Sequence, residues 1–197
     1  SLGIQQIEIV GAFLNFRMDA AKIAKHLLPK IIDASWFEQS LDLGETNSQE
    51  NIMVEYSQPN THKQFHVGHG RNACLGDCLV RLFKYSGKKV TPVNYIGDEG
   101  THVAKCLWQI DRINEPLPQE DKVEWYGLQY AKANLLLSEA SPATKKTYEE
   151  EISKILAQLE NKKGKFYDLW IQTRADCLNE FKKIYDHLDV SFDHDFF

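Results

Sequence analysis

The 197-residue sequence predicts an α/β fold, half of a parallel sheet followed by a mostly helical region. Three observations carry this. An apolar run at Ile52, Met53 and Val54 enters a Pro59–Asn60 turn and then a helix opened by small residues, the outline of a strand–loop–helix junction. A second run rich in Val, Thr and Tyr, residues 89–96, follows that helix; two strands joined this way lie parallel with a right-handed crossover. Beyond Thr101 the apolar residues recur at helical spacing to near the end.

The elements follow in order. Residues 4–16, rich in Ile, Val and Phe, read as one strand with no partner within reach, as if the chain began inside a larger structure. Asp19 caps a helix over 20–32 with Ile23, Leu27, Leu28, Ile31 and Ile32 on its apolar side and a kink or break at Pro29. The polar stretch 42–50, with Gly44, reads as a linker. Residues 51–57 are strand, 68–87 a turn and helix stopped by Gly87, and 89–96 the second strand. Val103, Leu107 and Ile110 then form one helical stripe, and 120–137 is a second helix. Ser141 and Pro142 open a third over 143–159. A fourth covers 166–188, burying Leu169, Trp170, Leu178, Phe181, Ile184, Tyr185 and Leu188, and 190–197 starts another strand or loop. No repeat or low-complexity run interrupts the pattern.

A net charge of −5 argues against a broad basic nucleic-acid surface, though not against a local one. Lys162, Lys163 and Lys165 are flanked by Glu160 and Asp168 and read as a solvated helix end. No apolar run nears the roughly 20 residues of a membrane span, and no secretory pattern opens the chain, so a soluble, cytoplasmic protein is expected. Cys74 and Cys78 share a helix face at a spacing wider than that of a zinc knuckle, and His102 and Cys106 repeat it. Cytosolic cysteines more often act as small buried hydrophobes, so no metal site is expected, and the role of the four cysteines stays open.

The chemistry concentrates between Val54 and Asn72. A strand–loop–helix junction presents free backbone N–H groups and the positive end of a helix, which suits an anion. His66 and His69 flank Gly68, a residue that allows close backbone approach, and the carboxylate of Glu55 is carried on the strand before the loop. A catalytic zinc helix would need a Glu between histidines at four-residue spacing, which is absent, and general-base work would need a nucleophile to activate, but no Ser or Cys elbow accompanies the histidines. Hydrogen-bond donation to phosphate oxygens fits. A P-loop and a Gly-x-Gly-x-x-Gly turn are both missing. The loop at Gly97, Asp98, Glu99 and Gly100 follows the second strand, so two loops meet at the carboxyl edge of the sheet, where such folds bind ligands.

These residues also match a known family. Val54-Glu55-Tyr56-Ser57-Gln58-Pro59-Asn60, then His66-Val67-Gly68-His69, Arg71-Asn72-Ala73, Gly76-Asp77, Gly87 and Val93-Asn94-Tyr95-Ile96-Gly97-Asp98 resemble arginyl-tRNA synthetase, a class I aminoacyl-tRNA synthetase. His66 to His69 is similar to its His-Ile-Gly-His signature, and the flanking motifs narrow the match to the arginine enzyme. The resemblance implies a Rossmann-type sheet half with domains at 1–19 (a remnant strand of an N-terminal additional domain), 20–50 (connecting helix and linker), 51–116 (first half of the catalytic domain) and 117–197 (helical connective insertion). It implies ATP, with Mg2+, as the activating nucleotide, and arginine and tRNA(Arg) as substrates of a monomeric enzyme. His66 and His69 are the implied catalytic and ATP-phosphate contacts, with Gly68 making room for the adenine end. Glu55 pairs with the guanidinium and Asn60 holds the α-amino or carboxylate group.

Gly70 and Glu99 depart from the larger apolar or aromatic residues frequent in the family. Lys-Met-Ser-Lys-Ser and the helical anticodon-binding domain are absent, so the chain reads as a piece of an enzyme about three times as long, not expected to aminoacylate by itself. The alternatives are another class I ligase or nucleotidylyltransferase, a non-catalytic nucleotide-binding fragment, and a structural domain with an empty cleft.

Overall fold

A computed structural model describes residues 3–32 and 51–197. In chain order they form β1 (Ile4–Val10), β2 (Phe13–Met18), α1 (Ala20–Ile32), β3 (Asn51–Glu55), α2 (Val67–Tyr85), β4 (Lys89–Tyr95), α3 (Thr101–Ile113), α4 (Lys122–Glu139), α5 (Pro142–Glu160), α6 (Lys165–Leu188) and β5 (His194–Phe196). The stretch 42–50, read as a linker, lies outside the described residues. The chain divides into two compact units, one of residues 1–50 with 82–89 and one of 51–81 with 90–197.

In the first unit, β1 and β2 form an antiparallel hairpin with Val10 opposite Phe13. This corrects the single unpartnered strand over 4–16. Gly11, at φ 61°, reverses the chain between two runs of alternating apolar residues; it is the turn signal that a strand reading passes over. Side chains of both strands stay open to solvent, Ile9 and Phe13 being 76% and 73% exposed. The α1 start is as the sequence predicts, Lys22 N–H donating to Asp19 Oδ1 at 3.1 Å. The helix runs through Pro29 without breaking. Its apolar side is only half-buried at Ile23 and Leu27 and exposed at Leu28, Ile31 and Ile32.

The second unit carries a sheet in the order β3-β4-β5, with β5 parallel to β4 and Asn94 beside Asp195. The expected last segment is therefore a strand, which adds to the edge of β4. At the end of α2, Gly87 takes φ 78° as the helix stop. Beyond the sheet, α3 packs against α4, α5 and α6, its Val103, Ala104, Cys106 and Leu107 fully buried. Ser141 opens α5 by accepting Thr144 N–H at 3.3 Å, with Pro142 in the first turn.

The α6 stripe is Phe166, Trp170, Thr173, Cys177, Phe181 and Tyr185, so Leu169, Leu178, Ile184 and Leu188 are only partly buried. Polar Thr173 and Cys177 in mid-stripe hide its true phase. Cys106 and Cys177 are buried as expected, whereas Cys74 and Cys78 are exposed, because α2 buries Ala73, Gly76 and Val80 instead. Against Gly76 lies Tyr56, 2% exposed; a Cβ there would stand 2.1 Å from its Cγ.

Candidate active site

The strand–loop–helix is built from two turns. Glu55 ends β3 with its carboxylate exposed, and the backbone then passes through Ser57 and Gln58 at φ 74° and 54°. Left-handed backbone costs a residue with a Cβ about 1–2 kcal/mol, so two in succession need support. It comes from Tyr185 of α6, whose hydroxyl shares a 2.7 Å hydrogen bond with Ser57 Oγ, and from Asn94 of β4, whose Oδ1 accepts Gln58 N–H at 3.1 Å. The reversal brings Gln58 Nε2 back to donate to a Glu55 carboxylate oxygen. Below it, the Tyr56 phenol donates to Ser191 O at 3.0 Å, its pKa pushed up to about 12 by burial and then by Asp77.

Asn60 is carried across to the second loop. Pro59 O accepts Gly97 N–H, and Gly97 O accepts Thr61 N–H, each at 3.0 Å, so the two strand ends meet as the sequence predicts. The Asn60 amide lies over Gly97, where a Cβ would come within 2.4 Å of Oδ1, so a larger residue there would push the amide aside. His102, at the start of α3, has Nε2 3.3 Å from the same Gly97 carbonyl. His102 and Cys106, considered as a metal pair, face different partners: Cys106 Sγ donates to Tyr126 O inside the core. Asp98 is 6% exposed; its carboxylate pairs with Arg174 and its carbonyl accepts Trp170 Nε1 at 2.7 Å, fixing this loop to α6.

The loop entering α2 holds itself. Gly68 N–H donates to His66 Nδ1 at 3.1 Å, so His66 caps its own helix, and His66 N–H donates to His69 Nδ1 at 3.2 Å. With Nδ1 accepting in both rings, each neutral imidazole carries its proton on Nε2 as a donor. The rings stack at 3.9 Å. Burial, then His66 and Lys63, hold His69 below the usual histidine range. A Cβ on Gly68 would come within 2.9 Å of His66 Cε1, so this glycine makes room for the folded-back His66 ring. At Gly70 a Cβ would meet only Phe65, at 3.9 Å, so the departure from larger residues there leaves ordinary space. No hydrogen bond joins Glu55 or Asn60 to the imidazoles among the described residues; the two groups stand at opposite ends of one loop.

Sequence reasoning gave no role to Gln58, Asn94 or Tyr185, although the first two lie inside the motifs it singled out. It also passed over His62, fully buried at φ 59° between the Thr61 and Thr173 hydroxyls at 2.9 and 2.8 Å. The available signal was polarity: Asn94 and His62 interrupt apolar or loop segments whose burial must satisfy them.

A parallel sheet whose strand–loop–helix carries two Nε2–H imidazoles after a strand-end carboxylate can receive a phosphate-bearing ligand at the helix end. The family described as "tRNA synthetases class I (R), catalytic domain" matches residues 35–194, and the chain belongs to this family. An arginine–tRNA ligase of Bdellovibrio bacteriovorus is 44% identical over 189 residues, 95% of this chain and 32% of that protein. That of Borrelia duttonii is 30% identical over 190 residues, 93% of this chain and 31% of its own length. The chain thus spans about a third of the curated relatives it matches. In fold it is similar to the arginyl-tRNA synthetase of Plasmodium falciparum, with TM-score 0.56 and 21% identity over 98% of this chain and 33% of that one. The Thermus thermophilus arginyl-tRNA synthetase gives 0.50 and 25% over 81% and 24%. Among the described residues no helix is long and apolar enough to cross a membrane.

Proposed function

We propose that this chain carries the arginine and ATP-phosphate subsites of an arginine–tRNA ligase, which joins arginine to ATP as arginyl-adenylate and passes it to tRNA(Arg). The observation that supports this reading most is the single loop that starts at an exposed carboxylate, Glu55, and ends at two stacked imidazoles presenting Nε2–H. In the first step an arginine carboxylate oxygen attacks the ATP α-phosphorus and pyrophosphate leaves. No covalent bond to protein is required, so the task of these residues is placement and charge stabilisation.

Glu55 has one oxygen held by Gln58 and accepts the guanidinium through the other; it compensates a charge that the apolar strand cannot. Asn60, fixed over Gly97, holds the α-amino or carboxylate group. His66 and His69 donate from Nε2 to phosphate oxygens at the positive end of α2, and Gly68 N–H stays engaged with His66. Mg2+ accompanies ATP and neutralises the phosphates when bound. His66 and His69 are the catalytic residues of this reading.

In this reading residues 51–116 belong to the first half of the catalytic domain and 117–197 to its helical insertion. Residues 1–19 belong to an N-terminal additional domain and 20–50 connect. The enzyme works as a cytoplasmic monomer. Calorimetric titration of the purified chain with L-arginine and with Mg·ATP tests the subsites. Saturable binding of both is expected. Binding of ATP alone would move the assignment to a nucleotidylyltransferase or regulatory nucleotide site, and binding of neither would overturn it.

A further inference from the structure

We infer that Tyr185, acting with Asn94 and Asp195, is the positioning residue for the Glu55 carboxylate, so that an α6 hydroxyl governs affinity for the cationic amino acid. This rests on the reading of Glu55 as the guanidinium partner and adds what sets that partner in place.

Ser57 and Gln58 occupy left-handed backbone that neither residue favours, and glycine or asparagine is absent from the turn. What holds them comes from distant parts of the chain. Tyr185, 128 residues after Ser57, meets its Oγ at 2.7 Å in a buried contact. Asn94, fully buried, uses its whole amide: Oδ1 accepts Gln58 N–H at 3.1 Å, while Nδ2 donates to Asp195 Oδ1 at 3.1 Å and lies 3.4 Å from the Tyr185 hydroxyl. The product of the clamped reversal is the Gln58 side chain folded back onto Glu55. Without it the carboxylate keeps its strand but loses the donor that fixes its rotamer.

Tyr185 touches the site in two separable ways. Its hydroxyl serves the Ser57–Gln58 turn. Its ring lies edge-on to Phe65 at 6.0 Å, and Phe65 in turn lies 5.2 Å from the His69 ring. Tyr185→Phe therefore removes the support of the carboxylate turn and leaves the packing behind the phosphate loop. A residue that merely filled the core would affect both subsites together.

The test uses the full chain, titrated calorimetrically with L-arginine and separately with Mg·ATP. For Y185F we expect arginine affinity to fall roughly tenfold, in line with one lost buried hydrogen bond, and ATP affinity to stay unchanged. Ser57→Gly in the Y185F background should restore most of the loss, because glycine adopts positive φ without a clamp. Parent-like arginine affinity in Y185F, equal loss of both ligands, or absence of rescue would each overturn the inference. If the parent chain binds no arginine, the reading of the site fails, and a ligand-free measurement still decides the positioning role. In 15N spectra the Gln58 side-chain amide should follow Glu55 ionisation in the parent and lose that coupling in Y185F; unchanged coupling would refute it.

Discussion

The two halves of the candidate site are held in opposite ways. The turn after β3 sits in strained backbone and is kept there by Asn94 and Tyr185, residues 36 and 128 positions away from their partners. The loop entering α2 holds itself, its imidazoles oriented by N–H groups two and three residues away. On the proposed reading, specificity for the amino-acid side chain would rest on tertiary structure, and phosphate binding on local sequence. Loss of global packing should abolish the first well before the second.

The largest expected effect attacks the packing under the strained turn. A methyl group at Gly76 would stand 2.1 Å from Tyr56 Cγ and 2.3 Å from its Cβ, positions near the backbone that cannot swing aside. Gly76→Ala should cost about 3 kcal/mol in denaturant unfolding and weaken arginine binding more than ATP binding. A variant as stable as the parent would show that Tyr56 does not fix this helix to the strand. Next in size is the carboxylate itself. Glu55→Gln keeps the shape and removes the charge; arginine affinity should drop roughly hundredfold while ATP affinity holds. Equal arginine affinity in parent and variant would remove Glu55 from the site.

How much of this was legible in the sequence divides along the same line. The β3–α2–β4 unit, its stop at Gly87, the cap at Ser141 and the meeting of the Asn60 and Gly97 loops all follow from local punctuation and strand–helix alternation. The hairpin at Gly11 was legible in principle, since the turn glycine interrupts the apolar run, but a lone glycine between two short alternating stretches competes with one long strand. The support of Ser57 and Gln58 was not legible. Neither residue type signals positive φ, and Tyr185 reads as one more apolar position on a helix. Which polar atom a buried tyrosine meets depends on where the helix docks.

Between the two halves stands His62, and it offers a pH test of how far the fold controls the loop. Its ring nitrogens meet two threonine hydroxyls and no carboxylate. Burial, then His102, lowers its pKa from 6.5 to about 3. The unfolded chain takes up a proton below about pH 6.5, whereas the folded one refuses it until near pH 3, so the stabilising contribution is complete above 6.5 and declines as the pH falls. Between pH 7 and pH 5 the loss should be about 2 kcal/mol. Denaturant unfolding at pH 7, 6 and 5 checks this against His62→Asn, which should start less stable but lose less on acidification. Parallel slopes in the two proteins would place the acid sensitivity elsewhere.

The smallest effects sharpen the contrast inside the loop entering α2. Gly70 is helical and open; a methyl group there would meet only Phe65 Cε1, at 3.9 Å. Gly70→Ala should therefore stabilise by about 0.5–1 kcal/mol through reduced chain entropy and leave ATP affinity unchanged. At Gly68 the same gain in helix propensity meets a specific obstacle, the His66 ring at 2.9 Å. That ring is the end of a mobile side chain and can rotate away, so stability should change little. Rotation breaks the bond from Gly68 N–H to Nδ1, releases the tautomer and turns one Nε2–H away from the phosphate. Gly68→Ala is therefore expected to lower ATP affinity several-fold with arginine affinity intact, the mirror image of Y185F. If both alanine variants bound ATP equally well, the self-capping of His66 would have no part in holding the nucleotide.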